Sequence, residues 1–336
     1  MDKSKPRIGI TIGDPAGIGP EVVCMCLAQK ELYEECVPVV IGNGEVLKRA
    51  LQSRGLSMPV RCIKKTEDAV GEYGIIDLID LPLRYEYIPG VLQAGNGEFA
   101  IRCIHEAVKL IRGGELDATC TAPTNKEAMR MAGSPFMGAT ELFAHLGGAK
   151  KASTVILQGG CYVFQVTTHV PLRKAIEMIT TGTLYEFISK ADLTLKSFGF
   201  KSARIGLAGF NPHAGDGGLL GGEEQEIFMP AVKRLREEGV CISDPLPADT
   251  IYERGQKGEF DALILLFHDS SNIAIKLISK DVPAAVITAG LPFVRTTVAH
   301  GTAYDIAYKG IADYKQFYKA ITAAADICRR RFGEGA

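Results

Sequence analysis

The sequence predicts an α/β protein of two domains, built around a largely parallel or mixed sheet. Short β-branched runs alternate along the chain with longer segments of helical periodicity, which is the pattern of strands joined by helices. The chain has 336 residues, more than a single hydrophobic core usually supports. We therefore expect two cores rather than one.

The individual elements follow from this alternation. The predicted strands are the short β-branched runs 7–12, 37–41, 118–121, 153–157, 162–167, 203–208, 262–267 and 284–288. The predicted helices are the longer segments 20–29, 98–111, 184–198, 224–238 and 314–331. Pro20 suits the first turn of its helix, where the missing backbone N–H costs nothing.

The domain boundaries are expected at loops, because no low-complexity linker or internal repeat is visible. The loop 121–125 and the turn 133–135 are the candidate crossings into the second domain. The first domain is predicted over 1–130 plus about 308–336, since the final helix can return to it, and the second over about 131–307. Such a layout places a cleft between the domains, a common position for small-molecule sites.

Composition excludes several classes of protein. The 38 basic and 39 acidic residues leave a net charge of −1, which argues against a nucleic-acid partner. Segment 1–6 carries no hydrophobic signal core and no apolar stretch approaches membrane-spanning length, so we expect a cytoplasmic protein without a membrane partner. The nine cysteines show no zinc-ribbon or CxxC spacing and are expected to be reduced and mostly buried.

Three of the six histidines lie at or just beyond the end of a predicted strand, namely His169, His213 and His268. In an open α/β sheet the crevice beyond the carboxyl ends of the strands is where ligands bind. Three imidazoles that converge there would form a divalent-metal site with open coordination positions, as catalytic metal sites have. The alternative is that each histidine is a hydrogen-bonded structural residue at a strand end.

The segment 12–21, IGDPAGIGPE, is predicted to end a strand and to begin a helix. Its glycines permit a tight turn and a close approach of the backbone to a ligand. A Rossmann fingerprint needs a third glycine, but Gly17 and Gly19 are followed by Val22 where that glycine would stand. We therefore expect no Rossmann cofactor site here, and a plain tight turn is the alternative to a ligand-binding loop.

Charged side chains near the later strand ends suit an anionic substrate. Asp269 adjoins His268, and Lys276 lies eight positions beyond that histidine, where a lysine can neutralise charge or exchange protons. Arg295 offers a forked donor for a carboxylate or phosphate, and Asp305 can accept from ribose or adenine groups. The alternatives are a solvated position for Lys276 and ordinary surface ion pairs for Arg295 and Asp305.

Ordered motifs over nearly the whole chain resemble the 4-hydroxythreonine-4-phosphate dehydrogenase (PdxA) family of pyridoxal phosphate (pyridoxine) synthesis and its sugar-acid relatives. They are GDPAGIGPE at 13–21, TAP at 121–123, NKEA at 125–128, NPHAG at 211–215, LPADT at 246–250, GLPF at 290–293 and HGTA at 300–303. The first and last also resemble isocitrate and isopropylmalate dehydrogenases, which bind NAD without a Rossmann fingerprint. The resemblance implies an isocitrate/isopropylmalate dehydrogenase-like two-domain fold with its active-site cleft between the domains.

The resemblance also implies roles for individual residues. The divalent metal would be bound by His169, His213 and His268, with the third histidine supplied across the interface of a homodimer formed by the second domain. The substrate-binding positions are Thr140, Lys276 and Arg295, and the candidate catalytic residues near the site are Lys276, Asp249 and Asp269. The cofactor-side loop would contribute His300, Gly301, Thr302 and Asp305.

The chain departs from the family pattern at several positions around the substrate. Ala139 replaces a histidine of the usual Gly-His-Thr-Glu, and Ser270 and Ser271 replace the usual Gln-Gly after the third metal histidine. Val286 occupies the place of a substrate-binding asparagine, and Ala299 replaces an aspartate before His-Gly. A site whose side chains hydrogen-bond one substrate discriminates strongly against its analogues. Because these replacements remove such side chains, they favour a different substrate.

The predicted function is therefore a metal-dependent, NAD-linked dehydrogenase that oxidises the secondary alcohol of a small phosphorylated hydroxy acid, with decarboxylation. The cofactors would be NAD or NADP and one divalent metal, with zinc expected and cobalt, magnesium, manganese or nickel as alternatives. The family's own substrate, 4-hydroxythreonine 4-phosphate, is the first candidate. D-threonate or D-erythronate 4-phosphate or another hydroxy acid is the second, and a non-catalytic metal-dependent ligand-binding homologue is the third.

Overall fold

The computed structural model describes residues 5–333, and residues 1–4 of the N-terminal segment interpreted above and residues 334–336 lie outside the described part. The strands are β1 (Arg7–Thr11), β2 (Val37–Gly42), β3 (Val60–Cys62), β4 (Ile76–Asp80), β5 (Ala118–Thr121), β6 (Ser153–Gln158), β7 (Cys161–Gln165), β8 (Ile205–Ala208), β9 (Ile242–Leu246), β10 (Ala262–Leu265), β11 (Ala284–Ala289) and β12 (Val294–Thr297). The helices are α1 (Gly19–Leu27), α2 (Leu32–Glu35), α3 (Gly44–Ser53), α4 (Ala94–Arg112), α5 (Lys126–Met131), α6 (Ala139–Gly147), α7 (Leu172–Met178), α8 (Thr181–Ser197), α9 (Met229–Glu237), α10 (Ile251–Gln256), α11 (His268–Ile278) and α12 (Lys315–Phe332).

The described chain forms two compact units. The first contains the residues up to Ser153 and those from Ala285 onward, and the second contains Thr154–Ala284. These bounds differ from the predicted domain boundaries near residues 131 and 307. The predicted domain boundaries stay a prediction.

The first unit has a sheet of seven strands in the order β3-β4-β2-β1-β5-β12-β11. All neighbours in it are parallel except β11 and β12, which are antiparallel. The central strands β1 and β5 are buried almost throughout, as parallel strands covered on both faces are. Helix α12 packs on β5 and β12, and so supports the strands from which the following loops start.

The second unit has the strand order β6-β7-β10-β8-β9, in which only the β6–β7 pair is antiparallel. A buried apolar cluster joins this sheet to the helices beside it, and it includes Cys161 and Val163 of β7, Leu263 of β10, Ile251 of α10 and Ile275 of α11. Helices α10 and α11 pack on β10, while α8 and α9 pack on each other. The alternating α/β fold with a mixed sheet is therefore as predicted.

Local signals explain where several helices begin and end. Pro20 and Glu21 occupy the first turn of α1, and Asn43 caps α3 by accepting hydrogen bonds from the backbone N–H groups of residues 45 and 46. Helix α8 begins with a capping box in which Thr180 and Thr183 bond each other's backbone. Gly148 ends α6 with a φ of 69°, a left-handed conformation that glycine adopts without steric cost.

All eight predicted strands and all five predicted helices have counterparts in the described chain. The helix predicted over 224–238 begins with a π-helical segment, Glu224–Phe228, before it continues as α9. The elements not predicted are β3, β4, β9, β12, α2, α3, α5, α6, α7, α10 and α11.

Seven of the nine cysteines are buried and all nine are free thiols, as expected, while Cys62 and Cys241 are exposed. Between residues 5 and 333, no helix combines the length and apolar character that a membrane crossing requires.

Candidate active site

The three predicted metal histidines all belong to the second unit and follow the ends of its strands. His169 lies beyond β7, His213 beyond β8, and His268 is the first residue of α11 after β10. The rings of His169 and His268 lie together, with their centroids 5.4 Å apart. Among residues 5–333, however, no three His, Cys, Asp or Glu side chains are grouped closely enough to hold a metal ion. A single chain thus brings His169 and His268 together, but His213 does not join them in one group.

Asp269 makes the contact that metal-binding histidines usually have. Its Oδ1 lies 2.9 Å from Nδ1 of His268, and both side chains are exposed. A carboxylate on one ring nitrogen fixes the tautomer and leaves the other nitrogen, here Nε2, to bind a metal. The chemistry of His268 and its neighbour therefore fits the role of a metal ligand.

Two of the candidate ligands have a strained backbone. His169 has a φ of 51° and His213 a φ of 55°, in the left-handed region. The strain around His213 extends to Ala214, with φ 55°, and Asp216, with φ 45°. A left-handed conformation costs a non-glycine residue about 1–2 kcal/mol, and such strain concentrates at ligand-binding sites.

Glu224 holds the segment that leads to His213. Its Oε1 accepts hydrogen bonds from the backbone N–H groups of Phe210 and Asn211, at 2.8 and 2.7 Å, and its Oε2 accepts one from Nδ2 of Asn211, at 2.9 Å. Burial by itself would raise the pKa of Glu224, but the hydrogen bonds from Asn211 and Phe210 outweigh it and hold the pKa below its ordinary value. Sequence reasoning missed this residue, because nothing local shows that the carboxylate folds back onto the preceding loop.

Lys276 and Asp249 are exposed, the first on α11 and the second in the loop before α10. Within residues 5–333, no hydrogen bond or ion pair joins either side chain to the three histidines. Their catalytic roles therefore stay a prediction.

Arg295 is a buried cation in the first unit. Its side chain is on β12 and only 3 % exposed, and Nη1 donates to Oγ1 of Thr288 at 2.8 Å and of Thr140 at 3.4 Å. The guanidinium lies over the Phe143 ring, 5.0 Å from its centroid, and its Nε has no partner among the described residues. Burial lowers the pKa of Arg295 to about 10. The alternative of an ordinary surface ion pair is therefore wrong, and the contact with Thr140 joins two predicted substrate-binding residues.

The loop between β1 and α1 is bonded to the predicted cofactor-side loop, both within the first unit. The N–H of Ile18 donates to the carbonyl of Thr302 at 2.9 Å, and the Tyr304 hydroxyl donates to Oδ2 of Asp14 at 2.6 Å. A Cβ on Gly17 would lie 2.8 Å from Thr302, so only glycine allows this approach. Asp14 and Tyr304 were not predicted as site residues, although Asp14 belongs to the motif at 13–21 and Tyr304 directly follows the motif at 300–303.

The remaining predicted cofactor residues lie on the same loop. Gly301 and Asp305 are exposed, and Nδ1 of His300 lies 3.0 Å from the carbonyl oxygen of Gly301. The exposed carboxylate of Asp305 is free to accept from a ligand. Binding of a cofactor by this loop stays a prediction.

The departures from the family pattern occupy different environments. Ala139 is buried at the start of α6, next to Thr140, and Ala299 is exposed. Ser271 is fully buried, where its hydroxyl accepts from Nε2 of Gln165 and donates to carbonyls of its own helix. Ser271 thus stabilises the interior of the second unit. Val286 pairs with Thr297 in the β11–β12 ladder, and Ser270 donates to the carbonyl of Phe267.

The chain is similar to several known proteins over nearly its whole length. A profile of the family described as "Pyridoxal phosphate biosynthetic protein PdxA" matches residues 34–324. D-threonate 4-phosphate dehydrogenase of Cupriavidus necator is 42% identical over 333 residues, 98% of this chain and 100% of its own. A crystal structure of a 4-hydroxythreonine-4-phosphate dehydrogenase from Burkholderia phymatum has 41% identity and a TM-score of 0.83, and covers 97% of this chain and 99% of its own. One from Klebsiella pneumoniae has 37% identity and a TM-score of 0.85, and covers 98% and 99%.

These relatives confirm the predicted class of protein, an oxidoreductase that acts on a CH–OH group. More particularly, the chain belongs to the PdxA family, as its motifs indicated. The predicted fold is confirmed as well, because the two solved relatives share it over nearly the whole chain.

Proposed function

We propose that the protein is a metal-dependent, NAD-linked dehydrogenase that oxidises the secondary alcohol of a small phosphorylated hydroxy acid, with decarboxylation of the β-keto acid formed. The observation that carries the proposal is Arg295, a buried guanidinium that forms no ion pair among residues 5–333, although the charge of Glu141 acts on it through space. An unpaired buried charge is costly, so the site is incomplete without an anion. A phosphate or carboxylate provides that charge and matches the fork of the guanidinium.

The substrate we favour is D-threonate 4-phosphate, with D-erythronate 4-phosphate as its close analogue. The Cupriavidus necator relative, 42% identical, is named D-threonate 4-phosphate dehydrogenase. Ala139 offers no donor or acceptor beside Thr140, where the family usually has a histidine. The second candidate is 4-hydroxythreonine 4-phosphate, named in the two solved relatives, which carries an amino group where threonate has its 2-hydroxyl.

One divalent metal ion, with zinc expected, would be held by His169, His213 and His268. The adjacent His169 and His268 rings and the Asp269 contact support this assignment. When bound, such an ion acts as a Lewis acid that lowers the pKa of the substrate alcohol and stabilises negative charge on oxygen. Asp269 would orient His268, while Lys276 and Asp249 are the exposed groups that we propose to move protons.

NAD or NADP would bind along the loop that carries His300, Gly301, Thr302 and Asp305. The backbone of Thr302 is fixed by the N–H of Ile18, so this loop is held in place by the glycine-containing turn after β1. Asp305 would accept from a ribose hydroxyl. A pre-positioned loop binds a cofactor at a smaller entropic cost than a loop that must first be ordered.

A homodimer would complete the metal site. Large apolar side chains are exposed in each of the three segments that carry a candidate ligand: Val170 and Leu172, Leu219 and Leu220, and Ile273 and Leu277. Clustered exposed apolar side chains mark protein–protein contact surfaces. A second copy of this chain would cover them and supply the histidine that a single chain leaves outside the group.

The proposal is tested with the purified protein, NAD and a divalent metal against a panel of hydroxy acids with and without their 4-phosphate. We expect NADH formation with D-threonate 4-phosphate, at a kcat/KM about 100-fold above that for D-threonate, and loss of activity on chelation. Equal turnover of the unphosphorylated acid would contradict the assigned substrate class. Undiminished turnover in metal-free protein would contradict the metal.

Arg295→Met tests the residue that carries the proposal. We expect kcat/KM for the phosphorylated substrate to fall by about 10²- to 10³-fold, because the charged fork is lost. The free energy of unfolding should stay the same or rise, since an unpaired buried charge is removed. Arg295→Lys keeps the charge but loses the forked donor, so its kcat/KM should lie between those of wild type and Arg295→Met. A large loss of stability, with activity falling only in proportion to the folded fraction, would show that Arg295 is structural.

A further inference from the structure

The turn that carries His213 needs support from outside itself. Five successive residues, from His213 to Gly217, have positive φ angles between 45° and 79°. The turn has backbone hydrogen bonds of its own: residues 212–218 form a short 3₁₀-type helix, and the N–H groups of Ala214, Leu219 and Leu220 donate to the carbonyls of residues 211, 216 and 215. Backbone strain of this kind persists only where the surrounding structure enforces it. A neighbouring group must therefore define the conformation.

Glu224 contacts the turn on its amino-terminal side. It is 3 % exposed, and its carboxylate takes three hydrogen bonds of 2.7–2.9 Å from Phe210 and Asn211, which immediately precede Pro212 and His213. Hydrogen bonds to an ionised acceptor are about twice as strong as neutral ones. The chain therefore enters the turn from a fixed position.

The same carboxylate lies against the turn on the other side of His213. A Cβ on Gly215 would stand 2.7 Å from Oε2 of Glu224, and one on Gly209 would stand 3.3 Å from Oε1. Only glycine at residue 215 permits this contact, which leaves His213 between two stretches of backbone that both touch Glu224. The backbone position of His213 is thus coupled to one buried side chain.

We propose that Glu224 is the positioning residue of the His213 metal ligand, and that it sets the metal affinity of the site without touching metal, substrate or cofactor. The inference rests on the proposed function, in which His213 binds the metal. Groups that orient a metal ligand from outside typically contribute about 10- to 100-fold to metal affinity. Glu224 should contribute within that range.

The experiment titrates Co²⁺ into the metal-free full-length protein and follows the visible absorption of the bound ion. Glu224→Gln has nearly the same shape, but it loses the charge and places an amide N–H₂ near Nδ2 of Asn211. We expect the apparent Kd for Co²⁺ to rise about 10- to 100-fold. At saturating Co²⁺ we expect kcat to return to within about twofold of wild type, because the residue acts through affinity.

Glu226→Gln is the matched control, because Glu226 lies in the same π-helical segment and is exposed. It should leave the Kd unchanged. Glu224→Asp, which keeps the charge but shortens the side chain, gives a second test if the glutamine variant does not fold. We expect its Kd to lie between those of wild type and Glu224→Gln.

The outcomes separate the inference from the function on which it rests. If wild type binds Co²⁺, His213→Ala abolishes binding and both Glu224 variants bind like wild type, the positioning role is wrong and the metal site stands. If wild type binds no Co²⁺, the proposed function fails first. A loss of kcat in Glu224→Gln that saturating Co²⁺ does not restore would also overturn the inference.

Discussion

Asp14 shows how one buried side chain makes the stability of this protein depend on pH. The carboxyl is fully buried and accepts hydrogen bonds from the N–H of Ala16 at 2.9 Å and the hydroxyl of Tyr304 at 2.6 Å. Burial raises its pKa from the ordinary 3.8 to about 6, although the bond from Tyr304 opposes the rise. The folded state therefore holds a proton that the unfolded chain has already lost. This contribution to stability is present below about pH 4 and is lost as the pH rises through 6.

Asp14→Asn removes this titration while keeping a side chain of the same shape. Relative to wild type, the free energy of unfolding of the variant should increase by about 2 to 3 kcal/mol between pH 4 and pH 7. Urea unfolding at a series of pH values measures the difference. Tyr304→Phe is the companion variant. Without the hydroxyl the pKa of Asp14 should rise further, so the loss of stability that accompanies deprotonation of Asp14 should occur at a higher pH than in wild type. A difference that does not vary with pH would refute this account.

Single residues of the site were predictable only where neighbouring sequence carries the signal. His169, His213 and His268 follow apolar runs, so their position at strand ends could be predicted. The burial of Arg295 and Asp14 could not, because it depends on elements distant in the chain. Tyr304, for example, is 290 residues from the carboxylate that it contacts.

Helix α8 shows an element whose start is determined by its own sequence. Oγ1 of Thr180 accepts from the N–H of Thr183 at 3.2 Å, and Oγ1 of Thr183 accepts from the N–H of Thr180 at 2.9 Å. These reciprocal bonds satisfy two backbone donors that would otherwise lack a partner. The buried face of α8 then packs against α9.

Thr180→Ala should lower the free energy of unfolding by about 1 kcal/mol, because the cap bond to Thr183 is lost. Thr194→Ala on the same helix is the control. Its hydroxyl bonds the carbonyl of Lys190 within the helix, and alanine has the higher helix propensity, so this change should be neutral or slightly stabilising. Chemical denaturation of both variants checks the contrast. Equal losses would show that the cap contributes nothing specific.

Three of the elements that were not predicted, α11, β3 and β9, lack such local signals. Helix α11 begins directly after β10, and Phe267 at its N-cap provides no side-chain hydrogen bond. Strand β3 has three residues and no fully buried position, so it shows no apolar run. Strand β9 contains Pro245, which argues against a strand, and it is tolerated because β9 is at the edge of its sheet.

At the scale of the whole molecule, the second unit exposes apolar side chains beside each candidate metal ligand. Leu219, just after the His213 turn, is 80 % exposed, and Leu277 on α11 is 78 % exposed. Leucine side chains this exposed leave apolar surface in contact with water, and a partner that covers them would remove that unfavourable contact. The homodimer that we propose accounts for them and for the separation of His213 from the other two histidines.

The double change Leu219→Glu and Leu277→Glu should convert the proposed dimer to a monomer and weaken Co²⁺ binding, since two charges on each chain would be forced into the proposed interface. Sedimentation or light scattering measures the first effect, and the Co²⁺ titration measures the second. Leu193→Glu is the control, because Leu193 is exposed on α8, a helix that carries none of the three histidines. A monomeric wild type that binds Co²⁺ fully would refute the shared site.

The fold class was predictable from the sequence because alternation of strand and helix leaves a periodic signal over the whole chain. The grouping of the three candidate metal ligands could not be predicted in this way. Strand-end placement predicts that three histidines converge, yet a single chain groups only His169 with His268. Sequence periodicity describes one chain, whereas convergence depends on how loops and copies of that chain come together.

The left-handed backbone at His169 and His213 has a consequence for attempts to improve this protein. Glycine or asparagine would adopt these angles at a lower cost, so a search for thermostability alone should replace both histidines early. If both histidines bind the metal as we propose, the variants with the highest melting temperature would be inactive. Under the proposed function, the left-handed backbone at these two positions is a stability cost that the metal site imposes on the fold.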